Sequence, residues 1–85
     1  MRTRAKICGI TRVQDIKAVV DAGADAIGFV FFPPSPRSVN KVDAIALVQA
    51  VPTYVQVVGL FDNATADEIA EILKDVHLDI LQFHG

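Results

Sequence analysis

The segment AKICGIT, residues 5–11, places a charged residue and the chain's only cysteine in a run that otherwise has the composition of a buried strand. Because side chains alternate along a strand, Lys6 and Cys8 are expected to point to the same face. A thiolate can act as a base, and a nearby cation favours the thiolate over the thiol. The pair therefore indicates proton-transfer chemistry. Taken alone, however, a single cysteine in a strand is more often a small buried hydrophobic residue.

The loop FFPPSPRSV, residues 31–39, carries a second candidate, Arg37. Three prolines stiffen this loop, which follows a predicted strand, and rigid loops at strand ends often carry functional residues. A guanidinium held in this way suits bidentate binding of a carboxylate or a phosphate. An ordinary surface arginine is the alternative interpretation.

A third group of polar residues occupies the segment QFHG, residues 82–85. Gln82 and His84 alternate along the predicted strand, so both are expected on one face. His77 follows a predicted helix, where it is expected to cap carbonyl groups or to face solvent. One cysteine and two histidines have no metal-ligand spacing, so the sequence predicts no metal site.

Composition narrows the class of protein. The 85 residues are 52% hydrophobic, carry a net charge of -2 and form no basic cluster, which argues against a nucleic-acid partner. A single cysteine cannot form an internal disulfide and points to a reducing compartment such as the cytoplasm. The longest apolar run, residues 26–34, is far shorter than the roughly 20 residues that span a bilayer, so no membrane partner is expected. We therefore expect a single unit, residues 1–85, in a soluble cytoplasmic protein.

Four short runs rich in Val, Ile and Phe predict strands that are covered on both faces. Helical patterns separate these runs, and the order β-α-β-α-β-α-β predicts a parallel sheet with right-handed crossovers. The predicted strands are Arg4–Cys8, Ala26–Phe31, Val55–Phe61 and Leu78–Phe83.

Local signals mark the ends of the helices. Capping boxes at residues 11–14 and 65–68, each opening on a threonine, predict the starts of the first and third helices. Asn40 is the predicted N-cap of the second helix. Gly23 fits the left-handed conformation that closes the first helix.

A weak internal repeat indicates the architecture. DAGADAIGF, residues 21–29, and DVHLDILQF, residues 75–83, share two aspartates and a phenylalanine at the same offsets. Both segments cover a helix end, a turn and the next strand, as expected of stacked β/α units. We therefore predict an α/β fold, the first half of a (β/α)8 TIM barrel, since a whole barrel needs about 250 residues. A half-barrel that self-associates through its open sheet edges is the alternative.

The barrel also predicts where the polar side chains point. The outer face of its strands must be apolar to receive helices, which leaves Lys6, Cys8, Gln82 and His84 inside. An ion pair is the expected partner of the inward lysine. Active sites of this fold lie at the carboxyl ends of the strands, where Cys8 and His84 are expected.

Together these motifs resemble the phosphoribosylanthranilate isomerase family. The combination of motifs is specific to this family, whereas each segment alone would be weak evidence for it. The matching segments are KICGIT at 6–11, GADAIGFVF at 23–31, the SPR loop at 35–37, VGLF-x-N at 58–63 and QFHG at 82–85.

The resemblance implies a (β/α)8 enzyme of tryptophan biosynthesis that needs no cofactor. Its reaction is the Amadori rearrangement of a small phosphorylated substrate, N-(5-phosphoribosyl)anthranilate. On this resemblance Cys8 is the general base and Arg37 binds the anthranilate carboxylate, while Gln82 and His84 line the substrate site. Lys6, two residues from Cys8 on the same face, is a further candidate substrate-binding residue. The family's general acid lies on a fifth strand and its phosphate loops follow strands seven and eight, so the 85 residues alone are expected to be inactive.

Two other interpretations compete with this enzyme. One is a non-catalytic half-barrel that serves as an association module. The other is a different phosphate-handling barrel such as indole-glycerol-phosphate synthase, in which nothing calls for a thiol on the first strand.

Overall fold

A computed structural model of the protein describes residues 4–84, in which three helices alternate with the four strands of one parallel sheet. The strand order is β1-β2-β3-β4, so neighbours in sequence are neighbours in the sheet. The predicted fold class and element order are confirmed. Gly85, the last residue of the QFHG segment, lies outside the described residues. The elements are β1 (Lys6–Cys8), α1 (Val13–Asp21), β2 (Ala26–Val30), α2 (Lys41–Gln49), β3 (Gln56–Asp62), α3 (Ala66–Leu73) and β4 (Ile80–His84).

The strands differ from their predicted bounds by up to two residues at the start and one residue at the end. β1 and β4 begin two residues later than predicted, although residues before them already contact the neighbouring strand. Leu78, for example, precedes β4 and packs its side chain close over the backbone of Gly59. It therefore contributes to packing before the strand itself begins.

The core lies between the sheet and the helices. Ile27 and Phe29 of β2 are fully buried there, together with Phe61 of β3. Ile16 of α1 and Ala44 of α2 pack into the same cluster. Alternate residues of the strands therefore point to the opposite face, as the barrel prediction requires.

Two of the three predicted helix starts are confirmed. Thr65 forms a capping box with Glu68 at the start of α3. Asn40 Oδ1 accepts a hydrogen bond from the Asp43 N–H at the start of α2. Gly23 follows α1 with a φ of +97°, which is the left-handed conformation expected of it.

The predicted capping box at Thr11 is wrong. The N-cap of α1 is the next residue, Arg12, whose backbone is extended and whose side chain makes no cap hydrogen bond. The Arg12 guanidinium instead donates through Nε and Nη2 to the two carboxylate oxygens of Asp15, each at 2.9 Å. This bidentate pair secures the first turn, where a carboxylate also suits the positive end of the helix.

The internal repeat has a structural counterpart at the amino ends of the strands. Asp25 precedes β2; its N–H donates to the Ala5 carbonyl at 2.8 Å and its carboxylate accepts from the Ala5 N–H at 2.9 Å. Asp79 precedes β4 and makes the same two bonds to Val57 of β3, both at 2.8 Å. Each aspartate therefore holds both main-chain groups of one residue, which is Ala5 directly before β1 or Val57 within β3.

We expect the substitution Asp79→Asn to lower the free energy of unfolding by roughly 1 kcal/mol at pH 7, after allowance for partial solvent exposure. Two hydrogen bonds lower the pKa of Asp79 in the folded state. The bond from the Val57 N–H has the larger effect and the bond with His77 the smaller. A lowered folded-state pKa stabilises the protein above the unfolded-state value of about 3.9, and this contribution is lost as the pH falls through the folded-state value. Urea unfolding of both proteins at pH 7 and at pH 3 measures the difference, which should be smaller at pH 3.

Asp21→Asn is the control for this experiment, because Asp21 is an exposed aspartate at the end of α1. It should change the free energy of unfolding by less than about 0.5 kcal/mol. Equal losses in the two variants, or a loss for Asp79→Asn that does not depend on pH, would contradict the prediction.

Candidate active site

The polar side chains of β1 and β4 meet on the face of the sheet that points away from the core. Lys6 Nζ donates a hydrogen bond of 2.8 Å to Gln82 Oε1. These residues lie on the two edge strands of the described sheet, which would be about 14 Å apart if four strands lay flat. A direct contact between them therefore requires a concave inner face. The predicted shared face is confirmed, but the expected ion pair of Lys6 is wrong, because β4 offers a neutral amide as the acceptor.

The thiol of Cys8 lies over β2 on the same inner face. Cys8 pairs with Gly28 in the β1–β2 ladder, and a Cβ atom placed on Gly28 would lie 3.0 Å from Cys8 Sγ. The same atom would lie 2.9 Å from Leu60 Cδ1 of β3. Because Gly28 has no side chain, the half-buried thiol can occupy the space above β2. The carboxyl end of β1 thus presents a sulfur atom to the concave face.

Arg37 approaches the same end of β1. A Cβ atom placed on Gly9, the residue after Cys8, would lie 2.6 Å from Arg37 Cδ and 3.3 Å from Arg37 Nη1. The arginine side chain therefore runs across the Gly9 backbone. The structure brings together the guanidinium of the proline-rich loop and the strand end that carries the thiol.

Backbone hydrogen bonds fix the loop that carries Arg37. The Arg37 N–H donates to Ser35 Oγ at 3.2 Å, and the Ser38 N–H donates to the Ser35 carbonyl at 3.1 Å. The Val39 N–H donates a hydrogen bond of 2.9 Å to the Val30 carbonyl at the end of β2. The loop accordingly folds back on the strand from which it starts.

His84 lines a separate part of the strand ends. It is the last residue of β4 and pairs in register with Asp62, the last residue of β3. Both contribute to an open cleft of about 140 Å³ at the carboxyl ends of β2, β3 and β4. The cleft is lined by Val30, Phe32, Ser35, Leu60, Phe61, Asp62 and His84.

Sequence reasoning did not place Ser35 and Asp62 in this cleft. The predicted third strand ends at Phe61, so the alternation of side chains along it predicts no face for Asp62. Ser35 lies between prolines in a loop, where no periodicity shows which way a side chain points. A strand register carried one residue further would have found Asp62, whereas no signal in the sequence would have found Ser35.

His77 lies away from this group. Its side chain is 77% exposed, and Nε2 lies 2.7 Å from Asp79 Oδ1 at the amino end of β4. It therefore faces solvent, one of the two placements that the sequence predicted. Within residues 4–84, no three His, Cys, Asp or Glu side chains are arranged to hold a metal ion.

Parallel strands alternating with helices, with a thiol, a guanidinium and an imidazole at their carboxyl ends, define part of a barrel of the (β/α)8 class. Residues 5–85 match the family model for N-(5'phosphoribosyl)anthranilate (PRA) isomerase. The chain belongs to this family.

Known relatives agree with this assignment. The chain is 69% identical, over its whole length, to the N-(5'-phosphoribosyl)anthranilate isomerase of Acinetobacter calcoaceticus, of which it covers 40%. It is 58% identical over 82 residues to the isomerase of Pseudomonas fluorescens strain SBW25, covering 96% of this chain and 39% of that protein. The chain thus spans about two fifths of the length of the relatives it matches.

Solved structures show the same fold. A crystal structure of phosphoribosyl anthranilate isomerase in complex with reduced 1-(o-carboxyphenylamino)-1-deoxyribulose 5-phosphate matches 99% of this chain with a TM-score of 0.93 and 40% identity; 43% of that chain is covered. The Thermus thermophilus enzyme matches 98% of this chain with a TM-score of 0.89 and 36% identity, over 42% of its own length.

Proposed function

We propose that this chain is the amino-terminal part of an enzyme that isomerises N-(5-phosphoribosyl)anthranilate in tryptophan biosynthesis. The observation that carries the proposal is the contact of Arg37 with Gly9, which sets a guanidinium beside the strand end that bears Cys8. A base and a carboxylate-binding group are thereby available at one edge of the sheet. The family match favours this isomerase over indole-glycerol-phosphate synthase.

In the proposed reaction Cys8 is the general base. A general acid protonates the furanose ring oxygen and opens the ring to a Schiff base. The Cys8 thiolate then removes the proton from C2, and the resulting enolamine becomes the ketone. The half-buried position of the thiol on the concave face supports this role, because a base must be reachable by substrate and shielded from bulk water.

Arg37 is proposed to bind the anthranilate carboxylate. The ligand named for one solved relative carries a carboxyphenyl group at one end and a phosphate at the other. A guanidinium can bind such a carboxylate through two parallel hydrogen bonds, which fixes the direction of the aromatic ring. A substrate held in this way would direct its sugar along the inner face.

The cleft beside His84 is of a suitable size for the aromatic ring of the substrate. Its volume of about 140 Å³ is close to that of an engineered cavity of about 150 Å³ that binds benzene. Phe32, Leu60 and Phe61 supply apolar walls, and His84 belongs to the same lining. We propose that the aromatic ring packs in this cleft and that His84 contacts the bound substrate.

Lys6 and Gln82 are proposed to act together at the floor of the site. The bond from Lys6 Nζ to Gln82 Oε1 holds the ammonium group over the concave face. There it can contact an anionic substrate. Gln82 thereby orients the lysine.

The remaining groups are proposed to lie on further β/α units. The family resemblance assigns the general acid to a fifth strand and the phosphate loops to strands seven and eight. The outer face of β4 supports such units, because Phe83 is 62% exposed and α3 buries none of its residues. We also propose a cytoplasmic enzyme, since the sequence has one cysteine. None of the helices between residues 4 and 84 could span a bilayer.

Self-association is the second candidate function. Both edge strands expose apolar side chains, with Ile7 at 38% and Phe83 at 62%. An exposed edge with such residues is a template for pairing with another chain. Gel filtration of the 85-residue chain distinguishes the two candidates: a well-folded homodimer favours the association module, whereas aggregation favours a segment of a larger barrel.

We expect Cys8→Ala to lower kcat at least 100-fold with little change in KM, because a general base acts in the transition state. The test protein is a complete barrel in which this chain replaces the matching part of the Acinetobacter calcoaceticus isomerase. Turnover is followed by the loss of anthranilate fluorescence. The unsubstituted chimera should be active and the 85-residue chain alone should not. Near-normal turnover by the Cys8→Ala chimera would remove the proposed mechanism.

Arg37→Met should raise KM about 10- to 100-fold in the same chimera, because it removes a charge-assisted bond worth about 1.5–3 kcal/mol. Arg12→Met is the matched control, since it removes an equal charge from the same end of β1. Arg12 is already paired with Asp15 and should affect KM less than twofold. Similar KM values for the two variants would refute the role of Arg37 as the carboxylate-binding group.

A further inference from the structure

We propose that Gly9 is a positioning residue for the reaction, because its missing side chain leaves the space in which Arg37 lies. The proposal rests on the function proposed for Arg37. It adds that Gly9 determines where the guanidinium stands relative to the thiol.

The contact between these residues is closer than a side chain would allow. A Cβ atom on Gly9 would lie 2.6 Å from Arg37 Cδ, 3.3 Å from Nη1 and 3.5 Å from Nε. These atoms follow one another along the arginine, so the side chain lies lengthwise over the glycine backbone. An ordinary contact at about 3.6 Å would require Arg37 Cδ to move by about 1 Å, and a misplacement of that size can cost two orders of magnitude in rate.

Hydrogen bonds hold the backbone on both sides of this contact. The Gly9 N–H donates to the Gly28 carbonyl at 2.9 Å, which extends the β1–β2 ladder one residue beyond Cys8. The Arg37 N–H is bound to Ser35 Oγ at 3.2 Å. A methyl group at Gly9 would therefore displace the flexible part of Arg37, which is the part that ends in the guanidinium.

Gly9 also has a φ of +85°, so any substitution there strains the backbone as well. Gly23 separates these two effects. Its φ is +97°, but nothing lies within 4 Å of a Cβ atom placed on it. Gly23→Ala therefore reproduces the backbone strain of Gly9→Ala without a contact to Arg37.

The experiment compares these two variants in the complete chimeric barrel. Both should lose similar thermal stability. Gly9→Ala alone should raise KM, and the Kd for reduced 1-(o-carboxyphenylamino)-1-deoxyribulose 5-phosphate, about 10- to 100-fold, with a smaller change in kcat. If Gly9→Ala and Gly23→Ala bind this compound equally well, the proposal is overturned.

A second comparison applies even if Gly9→Ala folds poorly. In an Arg37→Ala background the contact is gone, so Gly9→Ala should cost no more stability or affinity than Gly23→Ala does. A loss of affinity on Gly9→Ala that stays the same with and without Arg37 would also overturn the proposal. Failure of the proposed function is distinct from both results, because it would appear as an active Cys8→Ala chimera.

Discussion

The parallel register of β1 against β2 is the constraint on which the candidate site depends. It sets Cys8 opposite Gly28, the one position in β2 where no side chain competes for the inner face. Because side chains alternate with a period of two, a slip of one residue would turn the thiol toward the helices and bring Ile7 into the site. The same slip would turn Lys6 toward the helices and break its bond to Gln82. The register therefore orients both polar side chains of β1.

The amino ends of the strands contribute to stability, whereas the carboxyl ends carry the candidate site. At the amino ends, Asp25 and Asp79 each hold both main-chain groups of a residue that lies at or just before the start of the neighbouring strand. At the carboxyl ends, the groups that could react or bind face a concave opening, as in other barrels of this class. The aspartates fix where the strands start, and the register carries that placement to Cys8 and His84 at the other end.

Sequence periodicity predicted the fold well because the strands, helices and two of three helix starts follow from local patterns. It failed at Thr11, where a bidentate pair between Arg12 and Asp15 replaces the capping box, since both patterns use the same few residues. It also failed on the partner of Lys6, which lies on β4 and is 76 residues away in sequence. Alternation gives the face to which a side chain points, but not which group across the sheet is within reach.

The placement of Arg37 illustrates a further limit of motif reading. The loop and the KICGIT segment each suggested chemistry through the residues that carry charge or sulfur. The structure shows that they meet through Gly9, which carries neither. Gly28 leaves space for Cys8 in the same way, because a Cβ atom there would crowd the sulfur at 3.0 Å. In this chain the reactive groups are therefore located by residues that lack a side chain, and such residues belong to the site although they perform no chemistry.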